Sequence, residues 1–281
     1  MRAPKRTTVA LARVTTKPAI AARTDLCQGL ALPKRNGPMA FGPGEEMSFD
    51  FHAAGLFVGR MDIKVGAPRA TDGRQVLPLF GRARTTMFTA SIQKFEGRYL
   101  SLIDARSLEP LGIRTESIYG SEPRAEQVSL SADRRSAKIK FQAGKAEGTR
   151  DYGQRDGALF DVLGLLYYAR SIELPPNTKV CQEVVGDRRL WRMEGNILGV
   201  ERIDTPAGKK DAVHVKLRFD RVAHPDFDNT KRPWIEIDLF LSNDVHRAPL
   251  AFTVANDKVT ARAELVGWST KGTTPDDDWK L

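Results

Sequence analysis

The sequence predicts a mainly β protein: one large curved antiparallel sheet, or an incomplete β-barrel, with a single central buried helix over about 159–172. Three observations carry this expectation. Short stretches of alternating apolar and polar residues recur along the chain between turn signals. One segment alone has helical spacing. Strand and helix patterns do not alternate, which argues against a parallel doubly wound sheet.

The elements follow in order. Gly42-Pro43-Gly44 opens the patterned region, and Met47 to His52 then alternates with the period of a half-buried strand. Leu56 to Val65 continues less cleanly, and Pro68 with Asp72-Gly73 marks a turn. Val76 to Ala83, Tyr99 to Asp104 and Gly112 to Tyr119 are further strand candidates. Val128 to Leu130 and Ala137 to Phe141 alternate strictly across the hairpin-length stretch Ala132 to Arg135. Leu159 to Ile172 breaks the rhythm, with Leu159, Val162, Leu163 and Leu166 at helical spacing. Asp156-Gly157 offers a start and Pro175-Pro176 a stop. The segment is apolar nearly all round, so it is expected to be buried against the sheet. Lys179 to Val185, Trp191 to Ile203, Asp211 to Phe219, Trp234 to Leu241, Ala251 to Val254 and Val259 to Val266 complete the strands. In the fourth of these, Ile235, Ile237, Leu239 and Leu241 share one face, and Glu236 and Asp238 the other.

Composition bounds the class. The chain has 281 residues, of which 41% are hydrophobic, enough for a sizeable core. It has no apolar run of about 18 residues, so no membrane-spanning helix is expected. The net charge is +9, yet six basic residues against one acid fall within the first 25, so most of the excess sits on a short tail. That footprint disfavours nucleic acid as a partner. The expected organisation is an irregular basic segment over 1–40, one β-rich domain over 41–268, and a polar acidic tail over 269–281. The first segment is acid-poor like a targeting peptide, but its longest apolar run, Val9 to Ala12, is shorter than a secretory core. It reads as an irregular leader, with an atypical export signal as the alternative.

Five stretches together carry a family resemblance: Phe41-Gly-Pro-Gly-Glu-Glu-Met-Ser-Phe49, Gly55-Leu-Phe-Val-Gly59, Asp161-Val-Leu-Gly-Leu-Leu-Tyr-Tyr-Ala-Arg170, Asp204-Thr-Pro-Ala-Gly208 and Leu241-Ser-Asn-Asp-Val-His-Arg-Ala-Pro-Leu250. In this order they resemble the bacterial family called domain of unknown function 3108, over roughly residues 41–268. The resemblance implies an exported, β-rich envelope protein of Gram-negative bacteria, with a fold similar to that of lipoprotein carriers and no catalytic residues to carry over. The implied location is the periplasm or outer envelope, with the cytoplasm as the alternative. In an exported protein, Cys27 and Cys181 are expected to form a disulfide; two free thiols are the alternative.

His52, His214, His224 and His246 show no zinc spacing. Asp226-Phe-Asp228-Asn229 lacks the glycine and glutamate of a calcium loop. Glu236 and Asp238 project from one strand face at a spacing loosely compatible with a glycosidase pair, and equally with an ordinary solvated face. No nucleophile elbow or phosphate loop is present. Arg188, Arg189 and Arg192 around Trp191 form a short basic and aromatic run at a hairpin. Asp161, Tyr167, Tyr168 and Arg170 either serve the helix ends or form a polar rim on an apolar cavity. Asp244 and Arg247 are either a turn pair or ligand contacts.

These readings converge on a non-catalytic envelope protein without cofactor or metal. It would bind a lipid or other amphipathic small molecule, or an envelope partner. A hydrolase using carboxylates on cell-wall or sugar substrates is the alternative, and an anionic-surface or nucleic-acid binder the second. A binder requires an apolar cavity between helix and sheet, a hydrolase two buried carboxylates converging in a cleft, and the third reading clustered cations on the folded core.

Overall fold

In the computed structural model, which describes Cys27 and residues 30–71, 73–86, 94–231, 233–257 and 259–272, every predicted strand joins one antiparallel sheet. Its strands are β1 (Glu46–Ala53), β2 (Leu56–Val65), β3 (Arg69–Thr71), β4 (Arg74–Thr85), β5 (Phe95–Asp104), β6 (Pro110–Tyr119), β7 (Glu122–Leu130), β8 (Ala137–Ala143) and β9 (Ala146–Tyr152). After a helix, α1 (Val162–Arg170), come β10 (Thr178–Gly186), β11 (Arg189–Thr205), β12 (Gly208–Arg221), β13 (Trp234–Ser242), β14 (Pro249–Ala255) and β15 (Thr260–Ser269).

The hydrogen-bonded order is β10-β11-β12-β13-β14-β15-β1-β2-β4-β5-β6-β7-β8-β9, with β3 pairing only β4. The last strand closes on the first, Phe49 opposite Leu265, so the break in the sheet lies mid-chain, between β9 and β10. The chain between those edges, 153–177, carries α1 and stitches the gap. Arg155 and Leu159 donate backbone N–H bonds to Arg135 and Arg134. Phe160 pairs with the exposed edge of β10, accepting from Val185 N–H at 2.7 Å and donating to Glu183 at 3.1 Å. The Glu183 carbonyl and the Val185 N–H on the β10 edge are thus occupied rather than left to pair with another chain.

The helix is shorter than the expected 159–172, and the reason is local. Leu159 is spent on Arg134 and Phe160 on the β10 edge. Asp161 then caps the helix, its Oδ1 accepting from the N–H groups of Leu163 (3.0 Å) and Gly164 (2.9 Å). Two strands, β3 and β9, have no counterpart in the sequence reading. β9 reads Ala-Glu-Gly-Thr-Arg-Asp-Tyr and buries only Tyr152, so it lacks the apolar alternation that marks a strand.

Antiparallel alternation puts α1 at the end of the sheet where β9 finishes, β10 begins and the β13–β14 turn lies. Leu163 and Tyr167 pack into the main core with Phe41, Met47, Phe49, Ile63, Leu79 and Ile103. Leu165 packs on the other side with Phe160, Val184, Trp191, Met193 and Phe219.

Cys27 and Cys181 form a disulfide with Cα atoms 5.1 Å apart. Cys181 donates its N–H to Leu30, which lays the segment from residue 30 along β10 without helix or strand structure. The remainder of the expected basic leader, 1–26 and 28–29, lies outside the described residues, as do 273–281 of the expected tail. Among the described residues no helix is long and apolar enough to cross a membrane.

Candidate functional site

The inner surface of the sheet is not filled. Small residues occupy inward positions on β4, β5 and β6: Gly81, Ala83, Gly97 and Ser117. Across from them, β12, β13 and β14 present Val215, Leu217, Ile237, Leu239, Phe252 and Val254. The space between is a cavity of about 640 Å³, within the range of small-molecule sites. Gly81 and Gly97 matter because any larger side chain there would project into this space. A Cβ on Gly97 would stand 2.9 Å from the Phe95 ring.

Helix α1 forms one wall. Val162, Leu165, Leu166 and Ala169 recur at i, i+3, i+4 and i+7, and all four line the cavity. Val162 is 53% exposed although it faces the inside of the sheet. Leu32, from the segment held by the disulfide, joins the lining.

The opposite end of the cavity is polar. Ser117, Arg124, Glu126 and Arg188 belong to it. Glu126 is 6% exposed; its Oε2 accepts from the backbone N–H of Arg188 at 2.7 Å, and its Oε1 is buried without a hydrogen-bond partner. Burial pushes its carboxyl up to about 7, with the nearby Asp187 carboxylate adding to the shift. The sequence reading missed this residue. In sequence it is one acid in the alternating stretch Glu-Pro-Arg-Ala-Glu-Gln-Val; the only signal was its sharing a strand face with the apolar Val128.

The expected binding residues Asp161, Tyr167, Tyr168, Arg170, Asp244 and Arg247 lie around the helix, outside the cavity lining. Asp161 is fully buried, and besides its capping bonds it accepts from the hydroxyls of Tyr99 (3.1 Å) and Ser101 (2.7 Å). Burial raises its carboxyl above the usual range while these four donors pull it down. Tyr167 is fully buried, edge-on to Phe41 at 4.5 Å between ring centres, and burial pushes its hydroxyl up. Arg170 makes a two-pronged ion pair with Glu45 and donates to the carbonyl of His246. Tyr168 donates its hydroxyl to Pro33 O at 3.0 Å, tying the helix to the disulfide-held segment.

The structure brings the second predicted group, Asp244 and Arg247, to the same place. Asp244 Oδ1 accepts from the Ser242 hydroxyl and from the N–H groups of His246 and Arg247, fixing the β13–β14 turn. Arg247 then reaches back to the carbonyl of Ile172 at 2.6 Å. Arg170 and the Asp244–Arg247 turn therefore meet at the C-terminal end of α1, while Asp161 holds its N-terminal end, and together they fix the helix on the sheet.

The paired carboxylates do not converge on a cleft. Glu236 pairs with Arg218 at 3.2 Å, and Asp238 with His214 Nε2 at 2.7 Å, on the face of β13 away from the cavity. Among the described residues no group of three or more His, Cys, Asp or Glu side chains is placed to hold a metal ion. Trp191 is buried, with Arg189 over its ring, and Arg192 pairs with Glu194, so the basic run is dispersed.

One solved structure likens the fold to that of a β-barrel-like protein. Over 80% of this chain and 96% of the other, the structure superposes with a TM-score of 0.50 and 12% identity on the beta-barrel-like protein of domain of unknown function DUF1849 from Brucella abortus. A "putative lipoprotein" from Parabacteroides distasonis matches with a TM-score of 0.36 at 11% identity, over 84% of this chain and all of that one. A protein with a YmcC-like fold from Bacteroides fragilis matches with 0.32 at 8% identity, over the same shares. No curated protein matches this chain. The family model described as protein of unknown function DUF3108 matches residues 47–265, the whole sheet except the first residue of β1 and the last four of β15, and this chain belongs to that family.

Proposed function

We propose that this protein binds an apolar or amphipathic small molecule, without catalysis, in the cavity between α1 and the sheet. The carrying observation is the stripe of Val162, Leu165, Leu166 and Ala169 facing a cavity of about 640 Å³. A helix stripe of this kind ordinarily packs solidly on its sheet. Here small side chains on β4 to β6 hold the space open, and Asp161 and Arg170 anchor the helix from its other side. An extracytoplasmic location fits the Cys27–Cys181 disulfide, since such bonds persist in oxidising compartments.

The test is native mass spectrometry of the purified protein, followed by displacement of the fluorescent probe N-phenyl-1-naphthylamine. Wild type is expected to take up the probe and release it to a single-chain lipid. Ala169→Phe, which projects a ring into the cavity, is expected to lose most probe uptake while keeping the wild-type circular dichroism spectrum. Undiminished uptake by that variant would place the probe elsewhere and end the proposal.

A further inference from the structure

Glu126 is an unusual group to find in an apolar cavity. It sits on β7 with its neighbours in register, Thr115 on β6 and Phe141 on β8. The β10–β11 hairpin fixes it from one side. Asp187 and Arg188 adopt positive φ values of 50° and 60° in a two-residue turn, which aims the Arg188 N–H at Oε2. Oε1 is left buried and unpartnered. A buried acceptor without a donor is costly, and a ligand that supplies the donor recovers that cost on binding.

The neighbouring cations are engaged with other groups. Arg124 pairs with Glu122 at 2.7 Å, and Arg188 faces Asp187 at 3.8 Å. Arg150 donates to the Arg188 carbonyl at 2.8 Å and lies 3.5 Å from Asp226. An anionic head group at this end would meet a carboxyl without an uncommitted guanidinium among these three.

We propose that Glu126 reads the polar end of the bound molecule, and that the cavity selects single-chain amphiphiles with an uncharged, hydroxyl-bearing head. The chain lies along the α1 stripe and the head hydroxyl donates to Glu126 Oε1. This assignment rests on the cavity reading above and adds the chemical class of its ligand.

The experiment compares 1-lauroylglycerol with dodecanoate at about pH 8, by displacement of the same probe from the full chain. Wild type is expected to bind the glycerol ester at least about tenfold more tightly, the scale of one hydrogen bond to a charged acceptor. Glu126→Leu is expected to lose about tenfold in affinity for 1-lauroylglycerol and to abolish the preference. Glu126→Gln, nearly isosteric and still carrying an acceptor oxygen, is expected to keep part of it. Thermal melting of each variant separates lost recognition from lost folding. Unchanged affinity of Glu126→Leu for 1-lauroylglycerol, or a wild-type preference for dodecanoate, overturns the head-group assignment and leaves the cavity reading standing. If wild type binds neither amphiphile, the cavity reading fails and the assignment falls with it.

Discussion

Arg170 and Glu45, 125 residues apart in sequence, meet in a two-pronged ion pair, Nη1 to Oε1 at 2.6 Å and Nη2 to Oε2 at 2.8 Å, with each residue 1% exposed. The same carboxylate accepts from Trp268 Nε1, and the same guanidinium donates to His246 O. One pair therefore ties the last turn of α1 to the entry of β1, the end of β15 and the β13–β14 turn. Buried pairs of this kind cost much to desolvate, and removing one partner leaves the other charge stranded. Arg170→Met alone is expected to lower stability by about 3–5 kcal/mol. The double change Arg170→Met with Glu45→Gln is expected to recover a large part of that loss. Urea unfolding of these two variants and of Glu45→Gln alone measures it, and additive losses would show that the two residues are energetically independent.

The disulfide fixes a segment that has little else to hold it. It closes a loop of sequence separation 154, for which the chain-entropy relation gives about 5 kcal/mol, against a usual range of about 2–4. Cys27→Ser is expected to lower the melting temperature and to make the chain around residues 30–40 cleavable by protease. Because Leu32 lines the cavity, probe uptake should weaken in the same variant. A reductant should reproduce each effect in wild type and change nothing in Cys27→Ser.

Most of the sheet was legible in the sequence because one-sided burial writes itself as a period of two. Leu56 to Val65 was read with the bounds that β2 adopts. β9 was not legible, since an edge strand that buries only Tyr152 has no apolar period to show. The site divides in the same way. The helix stripe that lines the cavity is visible at i, i+3, i+4 and i+7, but its polar residues are ambiguous. Asp161, Tyr167 and Arg170 read in sequence either as helix-end groups or as a rim, and they point to the anchoring side, where their partners Ser101, Phe41 and Glu45 are distant in sequence. Glu126 was invisible for the converse reason: its burial comes from the β10–β11 hairpin, 62 residues away.

Gly164 tests how tightly the helix start is built. Alanine is the better helix former by about 1 kcal/mol. A Cβ at this position, however, would stand 2.7 Å from Asp161 Oδ2, the oxygen that accepts from Ser101, and 3.6 Å from Ile103 Cγ2. That carboxylate is fully buried and held by four donors, so it has little room to yield. Gly164→Ala is expected to destabilise by about 1–3 kcal/mol, the scale of overpacking, despite its propensity gain. Chemical denaturation decides the sign, and a stabilised variant would mean that Asp161 rearranges freely.

Glu126 should make stability depend on pH. Its ordinary carboxyl value is 4.5, and burial lifts it to about 7 in the folded chain, helped by Asp187 and opposed by Arg188 and Arg150. Between those values the folded protein holds a proton that the unfolded chain has released, so folding is penalised as the proton is lost. The contribution is fully present below about pH 4.5 and disappears as pH rises through about 7. Its size is roughly 3 kcal/mol at about 1.4 kcal/mol for each pH interval of one. Glu126→Gln is neutral throughout and cannot show this dependence. The variant is expected to match wild type near about pH 4 and to exceed it in stability by up to roughly 3 kcal/mol near about pH 8. Asp161, whose carboxyl burial also raises, contributes with the same sign but is present in both proteins, so the difference isolates Glu126. Urea midpoints across this range for the two proteins measure that difference, and parallel profiles would mean that Glu126 is already ionised in the folded state at low pH.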